Sequence, residues 1–131
     1  MKKGINVVII AGNLGADAEL RHTTDGTPVA SFNIAINERY KDSNGEPKEK
    51  TIWIRVNIWK KTAEALTPYL KKGQAVHVVG RLIENQWTDE ETGKQRSKLE
   101  VRARDITLLG SPGNSREKVP DWQPGEDDIP F

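Results

Sequence analysis

An all-β fold is expected, with five strands closing into a barrel, one short helix between the third and fourth, and an acidic tail outside the core. Three observations predict it. Runs of alternating apolar and polar residues recur along residues 1–110, separated by turn signals rich in Gly, Asn and Asp. The one stretch with helical spacing falls between the third and fourth of those runs. After Leu109 the sequence becomes polar and broken by Pro and Gly, unsuited to joining a core. A chain of 131 residues with 35% hydrophobic content suits one modest core. The expected division is a barrel domain over residues 1–110 and a disordered linker and tip over 111–131.

The first strand spans Ile5 to Asn13, with Gly12 and Gly15 marking its exit. Thr24-Asp25-Gly26 turns the chain into a second strand, Pro28 to Asn37. There Phe32, Ile34 and Ile36 alternate with Ser31, Asn33 and Asn37, giving one core face and one polar face. Lys41 to Lys48, centred on Ser43-Asn44-Gly45, reads as a solvated loop or hairpin tip. In the third strand, Thr51 to Trp59, the residues Ile52, Ile54, Val56 and Ile58 share one face. Thr51, Trp53, Arg55, Asn57 and Trp59 share the other. A helix follows from Thr62 to Leu70, with Thr62 as its expected cap and Lys71-Lys72-Gly73 as its basic end and stop. Pro68 removes a backbone hydrogen bond inside it and predicts a kink or early break. The fourth strand runs from Ala75 to Gln86, and a tip over Asp89 to Lys94 returns the chain into the fifth, Arg96 to Leu109. Three strands, a helix and two strands is the element order of the OB-fold, a five-stranded Greek-key barrel. Ferredoxin-like and SH3-like arrangements are compatible with the same strand count.

Several chemistries lack support. There is no cysteine, which excludes disulfides, thiolate metal sites and cysteine nucleophiles. His22 and His77 have no ligand partner at metal spacing and read as structural. Gly12-Asn13-Leu14-Gly15 lacks the lysine and hydroxyl of a phosphate loop, and a turn explains it. Asp89-Glu90-Glu91 reads as a solvated tip. No serine, histidine and acid grouping suggests a nucleophile, so no catalysis is expected. The apolar run Val7 to Ala11 is too short for a signal-peptide core or a membrane span, and a cytoplasmic protein with no membrane partner is expected.

The polar face of the third strand is the first candidate site. Large aromatics on such a face lose contact with water only when something flat covers them. Nucleobases do this, and stacking contributes about 1–3 kcal/mol per base whatever the base. The other reading is that both tryptophans pack under a loop or at a subunit interface. Tyr40 lies between Arg39 and Lys41, Lys60-Lys61 follows Trp59, and Trp87 sits across the second hairpin from Lys94, Arg96 and Lys98. Aromatics with adjacent cations thus recur where a barrel would gather them. Trp122 is assigned no such role.

Net charge is only +1, but its distribution is uneven. Residues 1–119 hold all 20 bases and 15 of the 19 acids, a balance of +5, and residues 120–131 hold the other four acids. Glu126-Asp127-Asp128-Ile129-Pro130-Phe131 surrounds an apolar end with carboxylates. Such a tip suits a partner pocket that takes the ring while basic residues hold the carboxylate. A purely solubilising acidic tail would not need the phenylalanine.

The sequence resembles the bacterial single-stranded DNA-binding proteins. Asn6 to Gly15, Trp53 to Trp59, Ala63-Glu64 with Tyr69 to Gly73, Gly80-Arg81-Leu82 and Trp87-Thr88-Asp89 resemble that family's OB domain. Asp127 to Phe131 resembles its terminal tip. The resemblance implies base stacking on Tyr40, Trp53, Trp59 and Trp87. It implies a homotetramer wrapped by DNA, no cofactor and no catalysis, and a tip that binds replication, recombination and repair proteins. Arg55, Lys60, Lys61, Arg81 and Lys98 are the expected phosphate contacts. The linker departs from the family in being short and in lacking a long Gly- and Gln-rich tract, and Pro68 is a second departure. The acidic tail is expected to occupy the basic groove when DNA is absent. A single-stranded RNA module, a protein adaptor and a nuclease are the rival readings.

Overall fold

The computed structural model describes residues 2–110. Its strands are β1 (Val8–Leu14), β2 (Glu19–His22), β3 (Pro28–Lys41), β4 (Pro47–Trp59), β5 (Ala75–Thr88) and β6 (Gln95–Leu109). A short helix, α1 (Lys60–Leu66), continues into a 3-10 turn over Thr67–Tyr69. All five expected strands are present. The sixth, β2, continues the line of β1 along the same partner: Leu14 pairs with Ile34 of β3, and Glu19 pairs with Ser31. The two form one bent stave, broken at residues 15–18.

The sheet order β1-β5-β6-β4-β3 closes on itself through the β1–β3 pairing. Every pairing is antiparallel except β4–β6, where Val56 meets Val101 and Asn57 meets Arg102. That circuit is the OB barrel. Period-two alternation supplies its core: Phe32, Ile34, Val56, Ile58, Val76, Val78 and Val101 all point inward and are 0–3% exposed. Ala63 and Leu70, both at 0%, plug one end of the barrel.

At two points the wall admits no side chain. A Cβ on Gly12 would lie 2.3 Å from the Ala35 carbonyl oxygen, and one on Gly80 would lie 2.2 Å from that of Arg102. Only glycine lets the backbones approach so closely.

Several boundaries differ from the sequence expectation. β3 extends to Lys41 and β4 begins at Pro47, so the first hairpin projects past the barrel. Its tip is held by Asp42 Oδ1, which accepts from the amides of Asn44 and Glu46, both at 2.9 Å. These exposed strand ends lack an apolar face, so nothing in the sequence marked them as strand. The helix starts at Lys60, not Thr62. Trp59 holds the N-cap position and no side chain caps it, which corrects the cap assigned to Thr62. It ends at Leu66, and Pro68 sits in the tighter turn beyond, as the missing N–H requires.

Candidate nucleic-acid interface

The candidate interface is the outer surface of four adjacent staves. On β3 and β4, the outward residues pair Ala35 with Trp53, Asn33 with Arg55, Ser31 with Asn57 and Val29 with Trp59. The parallel β4–β6 register then sets Arg102 beside Asn57, so Lys98, Glu100 and Arg102 of β6 face the same way. Across β5–β6, Arg81 meets Arg102, Ile83 meets Glu100, Asn85 meets Lys98 and Trp87 meets Arg96. Trp53, Trp59 and Trp87 therefore share one continuous surface, the first two half-buried and Trp87 41% exposed.

A polar network forms the floor. Ser31 Oγ donates to Asn57 Oδ1 at 2.7 Å, and Asn57 Nδ2 donates to Glu100 Oε1 at 2.7 Å. Asn85 Nδ2 reaches Glu100 Oε2 at 3.5 Å, and Arg55 Nε lies 3.8 Å from Glu100 Oε1. One carboxylate, 5% exposed, thus gathers side chains from β4 and β5 and, through Asn57, from β3. A buried charge is tolerated when it is hydrogen-bonded and paired. This one holds the Arg55 guanidinium against the sheet. Two buried polar atoms without a protein partner among the described residues, Asn33 Oδ1 and Trp59 Nε1, also lie on this face.

The surroundings of Trp59 are asymmetric. The Arg102 guanidinium carbon sits 4.8 Å from the ring centroid, a cation–π contact. A depression of about 280 Å³ lined by Arg21, His22, Thr23, Val29 and Ser31 also borders the ring. At the far hairpin, Asp89 Oδ1 accepts from the Glu91 amide at 3.0 Å and Oδ2 from Arg96 Nε at 2.9 Å. The Glu91 hydrogen bond, with help from Arg96, holds the Asp89 carboxyl below its ordinary value of 3.8.

The sequence-derived residues divide into groups. Trp53, Arg55, Trp59, Arg81, Trp87 and Lys98 come together on the outward face. Lys60 and Lys61 are exposed at the start of α1, next to Trp59. Tyr40, 51% exposed and paired with Lys48, stands apart. Strand alternation places it on the side of the projecting hairpin opposite Trp53. Glu126, Asp127, Asp128, Ile129, Pro130 and Phe131 lie outside the described residues. Sequence reasoning missed Glu100, Arg102, Arg21 and His22. Alternation from Lys98 pointed to Glu100 and Arg102, but which strand they face is set by the β4–β6 pairing alone.

A closed OB barrel carrying aromatics and cations on its outer face is an architecture used to bind single strands. Residues 5–109 match the Single-strand binding protein family, and the chain belongs to that family. It is 40% identical over 111 residues to the Single-stranded DNA-binding protein 1 of Chlorobaculum tepidum, covering 85% of this chain and 68% of that protein. The Single-stranded DNA-binding protein of Wolinella succinogenes matches with the same identity and coverage. Among solved structures, the Plasmodium falciparum SSB complex with ssDNA superposes with a TM-score of 0.75 at 28% identity. That match covers 82% of this chain and 97% of the other. A deletion mutant of the single-stranded DNA binding protein from Thermus aquaticus also gives 0.75, at 33% identity, covering 86% of this chain and 54% of that one. The family's proteins are DNA-binding proteins, not enzymes.

Proposed function

We propose that this chain coats single-stranded DNA without regard to base sequence, protecting it during replication, recombination and repair in the cytoplasm, at the nucleoid. The observation that carries this reading is the grouping of Trp53, Trp59 and Trp87 with Arg55, Arg81, Lys98 and Arg102 on one outward face. Each base stacked on an indole contributes about 1–3 kcal/mol, and stacking does not read hydrogen-bonding edges. Arg55, Lys60, Lys61, Arg81 and Lys98 meet phosphates, so affinity falls as salt rises. Tyr40 takes a base where the strand crosses the projecting hairpin to its other side. Duplex binds poorly because its bases are already stacked within it.

Self-assembly into a homotetramer completes the reading. β1 pairs with β5 over Val8–Asn13 but meets β3 only at Asn13 and Leu14, which leaves the other edge of Val8–Gly12 open among the described residues. Val7, just before that segment, and Ile9, on its outward side, are 62% and 65% exposed. An open edge beside exposed apolar residues favours pairing with another copy. Residues 111–131 serve as linker and tip, with Glu126 to Phe131 entering a basic-rimmed pocket on replication, recombination and repair proteins.

Tryptophan fluorescence during titration with a long oligo-thymidine tests the reading. Strong quenching by the single strand, weakened at high salt and slight with duplex of equal length, is expected. No quenching by the single strand would move the face to a protein-binding role.

A further inference from the structure

Arg81 and Arg102 are direct partners across the β5–β6 ladder, and both point outward. Like charges placed directly opposite on one sheet face repel, and cross-strand positions normally avoid them. Among the described residues neither forms an ion pair with an acid: Arg81 is exposed, and Arg102 lies over the Trp59 ring. The two border a depression of about 280 Å³, and no carboxylate lines it. Arg104 adds a third guanidinium at its edge. It is the extra residue of the bulge where the register shifts between Val79 and Gly80. Its ion pair, 3.5 Å to the neighbouring Asp105, is largely exposed and correspondingly weak.

Gly80 lines the depression, and its backbone runs too close to that of Arg102 for any side chain there. The Asn6 carboxamide is committed elsewhere, to the Leu82 amide and carbonyl at 2.8 Å each. What is left is a pair of guanidiniums with no acidic partner among the described residues, over a shallow bowl. One edge of the bowl is the residue that stacks on Trp59.

We propose that Arg81 and Arg102 form a two-guanidinium clamp for a phosphate of the bound strand, leading its backbone from Trp59 across β6 to β5. This rests on the single-strand reading above and assigns a route to it. Guanidiniums suit the task because their planar donor forks bind phosphate oxygens in pairs. The bound phosphate supplies the charge that the opposed arginines lack.

The test compares the full chain with Arg81→Thr and Arg81→Glu, measuring oligo-thymidine affinity against salt and thermal stability without DNA. Removing one phosphate contact from a single strand lowers the slope of log affinity on log salt by about 0.7. Arg81→Thr is expected to show that drop. Arg81→Glu, which also neutralises Arg102, is expected to show about twice it by the same relation. Stability should move the other way: unchanged or raised for Thr, and raised for Glu, which gains an ion pair with Arg102. This opposition of signs is what a merely structural arginine cannot produce. Unchanged slopes in both variants, with the unaltered chain still quenched, overturn the clamp alone. A fall in melting temperature with unchanged slope assigns Arg81 to the fold and overturns it as well. An unaltered chain that shows no quenching removes the single-strand reading and the clamp together.

Discussion

Lys60 is the one non-glycine residue with a positive φ among those described, at 60°. It turns the chain from β4, where Trp59 is still extended at φ −124° and ψ 154°, into α1. The register of Trp59 against Val29 fixes where that turn starts. An L-residue in the left-handed region is strained by roughly 1–2 kcal/mol, and glycine is not. Glycine also loses about 0.5–1 kcal/mol more on folding because its unfolded chain is freer. The informative comparison is Lys60→Gly against Lys60→Ala. Both delete the same ammonium, but only glycine relieves the strain, for a net difference of about 1 kcal/mol in its favour. In a domain of this size that is about 4 °C in Tm, readable by thermal melts followed by circular dichroism. Both variants should lose the same salt dependence of oligo-thymidine binding, about 0.7 in slope for one lost contact. An alanine variant as stable as the glycine one would refute the strain argument. Unequal salt slopes would refute the separation of strain from charge.

Three further outcomes are expected. Gly80→Ala drives a methyl into the Arg102 carbonyl and should destabilise the domain by at least about 1–3 kcal/mol, seen as a lower urea midpoint; an unchanged midpoint would mean the β5–β6 ladder can part there. The lowered Asp89 carboxyl contributes stability above its ordinary value of 3.8, and that contribution disappears as pH falls through the depressed folded value. Between pH 5 and 2 the melting temperature of Asp89→Asn should therefore fall less than that of the unaltered chain, and parallel curves would count against it. Deleting residues 120–131 removes four acids from a chain whose remainder carries +5. Affinity for single strands at low salt should rise, and equal affinities would show that the tail does not compete for the groove.

The local patterns were legible wherever a strand buries one face. Ile52, Ile54, Val56 and Ile58 announced β4 and, by alternation, set Trp53, Arg55, Asn57 and Trp59 together on its other side. Pro68 announced the end of the helix, because a missing N–H acts locally. β2 left no such mark: Glu19, Leu20, Arg21 and His22 are all exposed, so no apolar face distinguishes the strand from a loop. The projecting ends of β3 and β4 were missed for the same reason.

The sequence by itself determined the repertoire: which residues alternate, where the chain must turn, and which aromatics and cations stand beside one another on a single strand. Only the tertiary structure decided which strands are neighbours. The β4–β6 pairing brings Glu100 beneath Arg55 and Arg102 over Trp59, and the β5–β6 register opposes Arg81 to Arg102. The register of the β3–β4 hairpin sends Tyr40 to the side away from Trp53. Alternation depends on the backbone geometry of one strand and can be read residue by residue. Pairing depends on the closure of the whole barrel, which joins residues more than 40 positions apart, such as Asn57 and Glu100, and leaves no trace in the neighbourhood of either.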